Sequence, residues 1–518
     1  MGYVGNIYQF PFNLAGFQFN RNTDLLIDTA LVDGTKNINL HEGGVSKRGG
    51  GAKFLTSAIT GTPSITGLYD FRKQNGNSYR MFGTSDGKLY QNQESNLLKT
   101  AMSSSNKFHF STFSDEVYIS DGATVPQVWD GSNPSTVNIA GIPTDWSSTS
   151  NYPFQIIPHS RGANARMWAI RSDAIYASDN GDGDDFADAN VKKIPVYSDS
   201  GLVGGVDFNG TLFGFSKTRA YIVDDTSADT AEWGYKEAIW EGGVAHWRLI
   251  TKAGNNLYLM MDDGLIYSIR AVQSSGDYEQ SAINKPAHID RWLREKVSLN
   301  NIENFHAAYD RKLRAIKYFV QVAGSNTNTA LTYFIDRPPE IAWVIHDNTD
   351  NPSGYNASIS AEVRTSTGTY VISTGDFSGN IWDLEQTTKA DNALVYESSV
   401  KTRKINMGAS RMWKHFRSMG LKASSASNST LTVRIWIDGV RKSDKTIDVS
   451  GSGAEFDEAV LDTSVFAQDS IVPYSLDLGY YGFDIQVEIV NLVAAEDFFL
   501  SEMLIDFKNI GIRNTTLV

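Results

Sequence analysis

Hydrophobic and polar positions alternate most clearly between His288 and Asp347. Residues 289–296, with Trp292 and Leu293 on one side, have the spacing of a short amphipathic helix. Four extended runs follow, at 305–309, 313–322, 330–335 and 341–346. Their connectors, among them Asp310-Arg311-Lys312 and Arg337-Pro338-Pro339-Glu340, are short and rich in turn residues, so neighbouring runs should pair antiparallel. In the last two runs Leu331, Tyr333 and Ile335 share a face, as do Ile341, Trp343 and Ile345. Four short antiparallel strands of this kind make one propeller blade, which cannot bury its own faces without neighbours.

The same pattern recurs from residue 64 to residue 385, at a period of roughly 30–45 residues. Asp86-Gly87, Asn209-Gly210 and Asp263-Gly264 are hairpin dipeptides within the recurring units. The units number six or seven. From Val400 the texture changes to a basic stretch, a clean hairpin about Asp438-Gly439, and strong alternation in Phe483, Ile485, Val487, Ile489 and in Met503, Ile505, Phe507. The expected fold is all-β: an N-terminal arm (1–60), a β-propeller of six or seven blades (61–390), and a C-terminal β-sandwich or barrel-like region (391–518). That last region is also able to supply strands that close the ring.

Composition narrows the function more than the fold. With 41% hydrophobic and 12% aromatic residues among 518, the chain can bury a large core and is not a disordered protein. It has no cysteine, which removes disulfides and thiolate metal sites. The N-terminus lacks a basic stretch followed by an apolar one, so no secretory signal is expected, and no run approaches the roughly 20 apolar residues of a membrane span. A net charge of −13 argues against a general grip on nucleic acid, whose affinity rests on phosphate contacts.

Candidate chemistry is sparse. The Asp-rich stretch 177–190 offers oxygen ligands for calcium at Asp179 to Asp188, but its spacing is not that of an EF-hand, and a solvated loop accounts for it as well. Thr374 to Trp382 has the look of a sialidase-type Asp box with its glycine one position late, and reads as a blade turn. The histidines lack metal-ligand spacing. No catalytic residue, metal ligand or cofactor site is expected. Gly43, Gly44, Lys47, Arg48, Gly49 and Gly50 read either as a docking arm at an assembly interface or as a surface hairpin. Lys401, Arg403, Lys404 and Arg411, interleaved with Trp413 and Phe416, read either as a DNA contact or as a strand pair with long side chains over aromatic neighbours.

The order of these motifs resembles the tail nozzle proteins of short-tailed bacteriophages, also described as packaged-DNA stabilisation or tail-hub proteins. The resemblance is carried by Gly43 to Gly50, Asp86-Gly87-Lys88-Leu89-Tyr90, Val128-Trp129-Asp130-Gly131, the segment 290–336 with Trp343 after it, 375–385 and 411–423. It spans nearly the whole chain and lies in the order of motifs more than in any one. It implies a non-enzymatic virion protein of the tail, assembled in the host cytoplasm. Such a subunit forms a cyclic ring, typically a homohexamer, below the portal and adaptor ring, and carries tail fibres, spikes or a needle. Double-stranded DNA passes through the ring without sequence-specific recognition, and the ring retains the packaged genome until ejection. The competing reading is a carbohydrate-binding or glycan-hydrolysing propeller, which needs converging carboxylates in a pocket.

Overall fold

The computed structural model of the protein describes residues 6–149, 151–161, 164–187, 192–198, 200–238, 242–272, 277–322, 326–348, 356–426, 428–449, 472–494 and 496–512. The segment 289–347 folds as its pattern predicts. A helix, Ile289–Lys296, buries Ile289, Trp292 and Leu293. It is followed by a four-stranded antiparallel sheet of His306–Asp310, Ala315–Val320, Thr329–Phe334 and Trp343–Asp347. Leu331 pairs with Ile345 and Tyr333 with Trp343, so the two apolar faces coincide.

Among the described residues seven such sheets follow one another. Blades 1 to 6 occupy residues 65–99, 109–138, 155–195, 204–237, 250–282 and 306–347. Blade 7 consists of Ala357–Arg364, Tyr370–Asp376, Ile381–Gln386 and, as its outer strand, Gly50–Lys53 from the N-terminal region. The first strand of each blade touches the first strands of both neighbours, including blade 7 against blade 1, so the ring is closed. An apolar cluster lies at every blade-to-blade joint, for example Phe71, Phe108 and Trp129 between blades 1 and 2, and Trp168, Tyr221 and Trp233 between blades 3 and 4. Trp168 and Trp233 stack with ring centroids 5.6 Å apart. The fold is an all-β, seven-bladed propeller, built mainly by burial of these faces.

Turn chemistry sets the hairpins. Asn209 and Gly210 both have positive φ (51° and 71°), as do Asp438 and Gly439 (51° and 78°), matching the mirror-image turn that suits the strand twist. Asp376 in the turn resembling an Asp box accepts hydrogen bonds from the Ser378 and Asn380 amides and from Trp382 Nε1 (2.8, 2.8 and 2.9 Å), a turn-fastening role.

Beyond the propeller, two sheets pack into a sandwich around Phe416, Met419, Leu431, Ile485, Ile489 and Ile505. One sheet contains Met412–Ser424, Val472–Gly482 and Phe499–Ile512. It also takes in three N-terminal strands: Asn6–Pro11, Ile38–His41 and Gly44–Lys47. The other holds Ser398–Lys401, Ser429–Ile437, Val440–Arg441, Lys445–Val449 and Ile485–Asn491. Residues 6–53 are thus part of the folded body. The ring-closing strand comes from this N-terminal stretch and not from the C-terminal region, because Gly50–Lys53 reaches blade 7 directly after leaving the sandwich.

Candidate functional site

The glycine-and-basic segment lies at the joint between propeller and sandwich. Gly43 and Gly44 lie beside Phe499 and Leu500; a Cβ on Gly44 would run into the Leu500 carbonyl. Gly49 and Gly50 press their backbones against Glu385, Gln386 and Ala390 in the same way. Lys47 is fully buried, and its Nζ donates to Asn491 Oδ1 and the Val493 carbonyl (both 2.8 Å). Arg48, 2% exposed, donates from Nη1 and Nη2 to the two oxygens of Asp391 (3.0 and 2.6 Å). It also donates to Asn37 Oδ1 at 3.0 Å and lies 3.8 Å over the Tyr396 ring. These residues hold the chain to itself.

Sequence reasoning missed the other half of this joint. Glu385 accepts from Lys317 Nζ (2.7 Å), Asn39 Nδ2 (2.9 Å) and the Gly49 amide (2.8 Å). His346 Nε2 donates to the Ile38 carbonyl at 2.9 Å, leaving Nδ1 to accept from Lys317 at 3.0 Å. Burial alone would raise the Glu385 pKa, but the Lys317 ammonium outweighs it and holds the carboxyl well below its ordinary range. Burial, together with Lys317, keeps His346 neutral. Of these residues only Lys317 carried a signal in the sequence, a charge between the apolar strand neighbours Ile316 and Tyr318.

The basic stretch divides. Arg403 is buried and pairs with Asp28. Lys401 lies 4.8 Å from the Trp436 ring centroid, a cation on an aromatic face. Lys404 and Arg411 are exposed. Phe416 is in the sandwich core, and the half-buried Trp413 meets Phe483 edge-on with ring centroids 4.9 Å apart. In the Asp-rich loop, burial and the neighbouring Asp182 and Glu116 push Asp184 up to about 6. Among the described residues no group of three or more His, Asp or Glu is placed to hold a metal ion. Asp188, Ala189 and Asn190 lie outside the described residues.

One concavity is axial. A cavity of about 470 Å³ runs between the inner strands of all seven blades, from Leu68 of blade 1 to Ile359 of blade 7. Its one lining carboxylate among the described residues is Asp207, which is engaged by His159 Nδ1 of the neighbouring blade. His159 Nε2 reaches Asp225 at 3.1 Å, and Arg161 Nη1 also donates to Asp225 at 3.1 Å. Burial opposes the charge on His159, yet the two carboxylates win and raise its pKa to about 9. Because the folded value exceeds the ordinary 6.5, this bridge stabilises fully below pH 6.5 and is lost as pH rises through about 9. The loss should amount to about 2 kcal/mol, less than the full shift because Asp207 is partly solvated. H159Q should be less stable than the wild type at pH 6, and the gap between their unfolding midpoints should narrow as pH rises to 9.5, a difference that cancels the opposite contribution of lysines such as Lys107 whose pKa burial lowers. A gap that does not change with pH would remove the bridge as its cause.

No family model matches the chain, and no curated protein matches it. Among solved structures it is similar to the extracellular domain of the hybrid two component system BT3049 from B. thetaiotaomicron (12% identity, 76% of this chain and 48% of that one, TM-score 0.42). It is also similar to YCF48 bound to D1 peptide (12%, 64% and 94%, TM-score 0.39) and to the computationally designed Ika8 protein (10%, 64% and 98%, TM-score 0.34). The chain spans about half the length of the first of these, 48%.

Proposed function

We propose that this chain is a structural subunit of a phage tail nozzle, a ring below the portal and adaptor through which the genome leaves. The observation that carries the reading is the ordered series of motifs that resembles this family, in a chain that contains a β-propeller. The axial cavity, narrow and lined by side chains, is no conduit for a duplex, so the DNA channel in this reading lies between subunits, around the ring's symmetry axis. A net charge of −13 suits a wall past which DNA slides without sticking. Against a glycan hydrolase stands the axial cavity, where Asp207 faces a histidine and not a second carboxylate.

The mass of the purified protein in solution, alone and with its candidate adaptor ring, tests this. A closed assembly of about six subunits is expected, formed alone or on the adaptor. A strict monomer that ignores the adaptor would overturn the reading.

A further inference from the structure

At the face where the inner strands begin, the loop leading into blade 2 carries Lys107 and the loop leading into blade 5 carries His246, Trp247 and Arg248. They line a second cavity of about 450 Å³ that includes Asn106 and Asn304. Trp247 and Arg248 line the axial cavity as well, so the two spaces meet at Arg248. Arg248 is only 4% exposed. Its Nη2 donates to the Glu303 carbonyl and its Nε faces His246 Nδ1 at 3.4 Å, whereas Nη1 is buried with no hydrogen-bond partner among the described residues. His109 Nδ1 is also buried and unpartnered, its ring edge-on to Trp247 with centroids 5.2 Å apart.

Neither Arg248 nor Lys107 forms an ion pair among the described residues, and a buried guanidinium without a counter-charge is costly. Two carboxylates line the cavity. Asp121 is spent on its own turn, accepting from the Ser103, Ala123 and Thr124 amides and from Thr124 Oγ1 (2.8, 2.9, 2.7 and 2.9 Å). Glu303 is exposed and offers Arg248 its backbone oxygen. The positive charge here is offset only from a distance, by the exposed Glu303 carboxylate: burial pushes Arg248 down to about 9 against the pull of Glu303, and burial with the charge of Arg248 pushes Lys107 down to about 7.

We infer that this mouth of the propeller is a binding site for a tetrahedral oxyanion, a phosphate or sulfate group, received by Arg248 Nη1 and Lys107 Nζ. The cavity is larger than one such ion, so the group belongs either to a free anion or to a small ester whose remainder fills the space. The site is independent of the assembly reading.

Sulfate is the probe of choice because it keeps its charge throughout the working pH range. In calorimetric titrations at constant ionic strength set with chloride, sulfate should bind the wild type at pH 6.5. K107Q should weaken it roughly tenfold, the worth of one charged hydrogen bond. Affinity should fall between pH 6 and 8.5 as Lys107 loses its proton, and K107R should flatten that dependence. The other groups facing Lys107 are Arg248, charged in this range, the carboxylates Asp121 and Glu303, and His246, His109 and His306, all held neutral by burial. Thermal melts of each variant separate loss of the site from loss of the fold. A parallel titration with glycerol 3-phosphate distinguishes the sources: tighter binding than inorganic phosphate points to an ester, equal binding to the free ion. Sulfate binding no stronger than that of chloride, or equal in wild type and a folded K107Q, would overturn the inference.

Discussion

A chain lacking residues 1–53 should accumulate as insoluble, unfolded protein. The deletion strips Gly50–Lys53 from blade 7, where it pairs with Trp382, Asp383 and Gln386, and removes three strands from the sandwich sheet. Two sheet edges would be laid open to other chains. Phe10, Phe12, Phe17, Ile38, Leu40 and Val45, each 4% exposed or less, would leave their cores. At about 1.5–3 kcal/mol for each large buried side chain, their loss alone matches the roughly 5–15 kcal/mol by which a native protein is stable. A detachable docking arm would behave otherwise: its removal would leave a soluble chain with native near-ultraviolet circular dichroism. Soluble yield and that spectrum, compared with the full chain, decide between the two. Folded truncated protein would show that the N-terminal strands are accessory.

The difference between those two views of the N-terminus shows where the sequence was legible. Local pairing was readable because its determinants are local. Asn209-Gly210 and Asp438-Gly439 are turns by their own backbone preferences, and the alternation at Leu331, Tyr333, Trp343 and Ile345 fixed a register within one blade. The helix 289–296 likewise follows from its own spacing. The blade number stayed at six or seven because blade 7 joins strands from the two ends of the propeller sequence, Gly50–Lys53 and 357–386, and no local period records that. Lys47 and Arg48 read as surface residues because a charge beside glycines usually is one. Only their partners Asn491 and Asp391, far along the chain, make burial tolerable. Lys414 is buried too, its ammonium satisfied by the nearby Ala409 and Met412 carbonyls and the distant Phe483 carbonyl at 2.6, 2.9 and 2.8 Å. Lys107 and Arg248 come from separate loops that only ring closure brings together.

Replacing Asp391 by alanine should destabilise the protein by about 3–5 kcal/mol, because it leaves the Arg48 guanidinium buried without its counter-charge. Asp391 also accepts from the Gly51 amide at 2.7 Å, so the damage extends to the strand that completes blade 7. Arg48→Met should cost a similar amount by stranding the carboxylate. The double variant R48M/D391L should be less damaged than the sum of the two, since an apolar pair needs no desolvated charges to be matched. Urea unfolding of the four proteins tests this; strict additivity would mean that the pair is not energetically coupled. The shape of the curves carries a second reading. Arg48 sits one residue from Gly49, whose amide binds Glu385 of blade 7, and directly after Lys47, which holds Asn491 of the sandwich. If this joint couples the two bodies, the wild type should lose both in one transition. D391A should then separate propeller and sandwich unfolding into two steps, visible as tryptophan fluorescence and far-ultraviolet circular dichroism that no longer coincide.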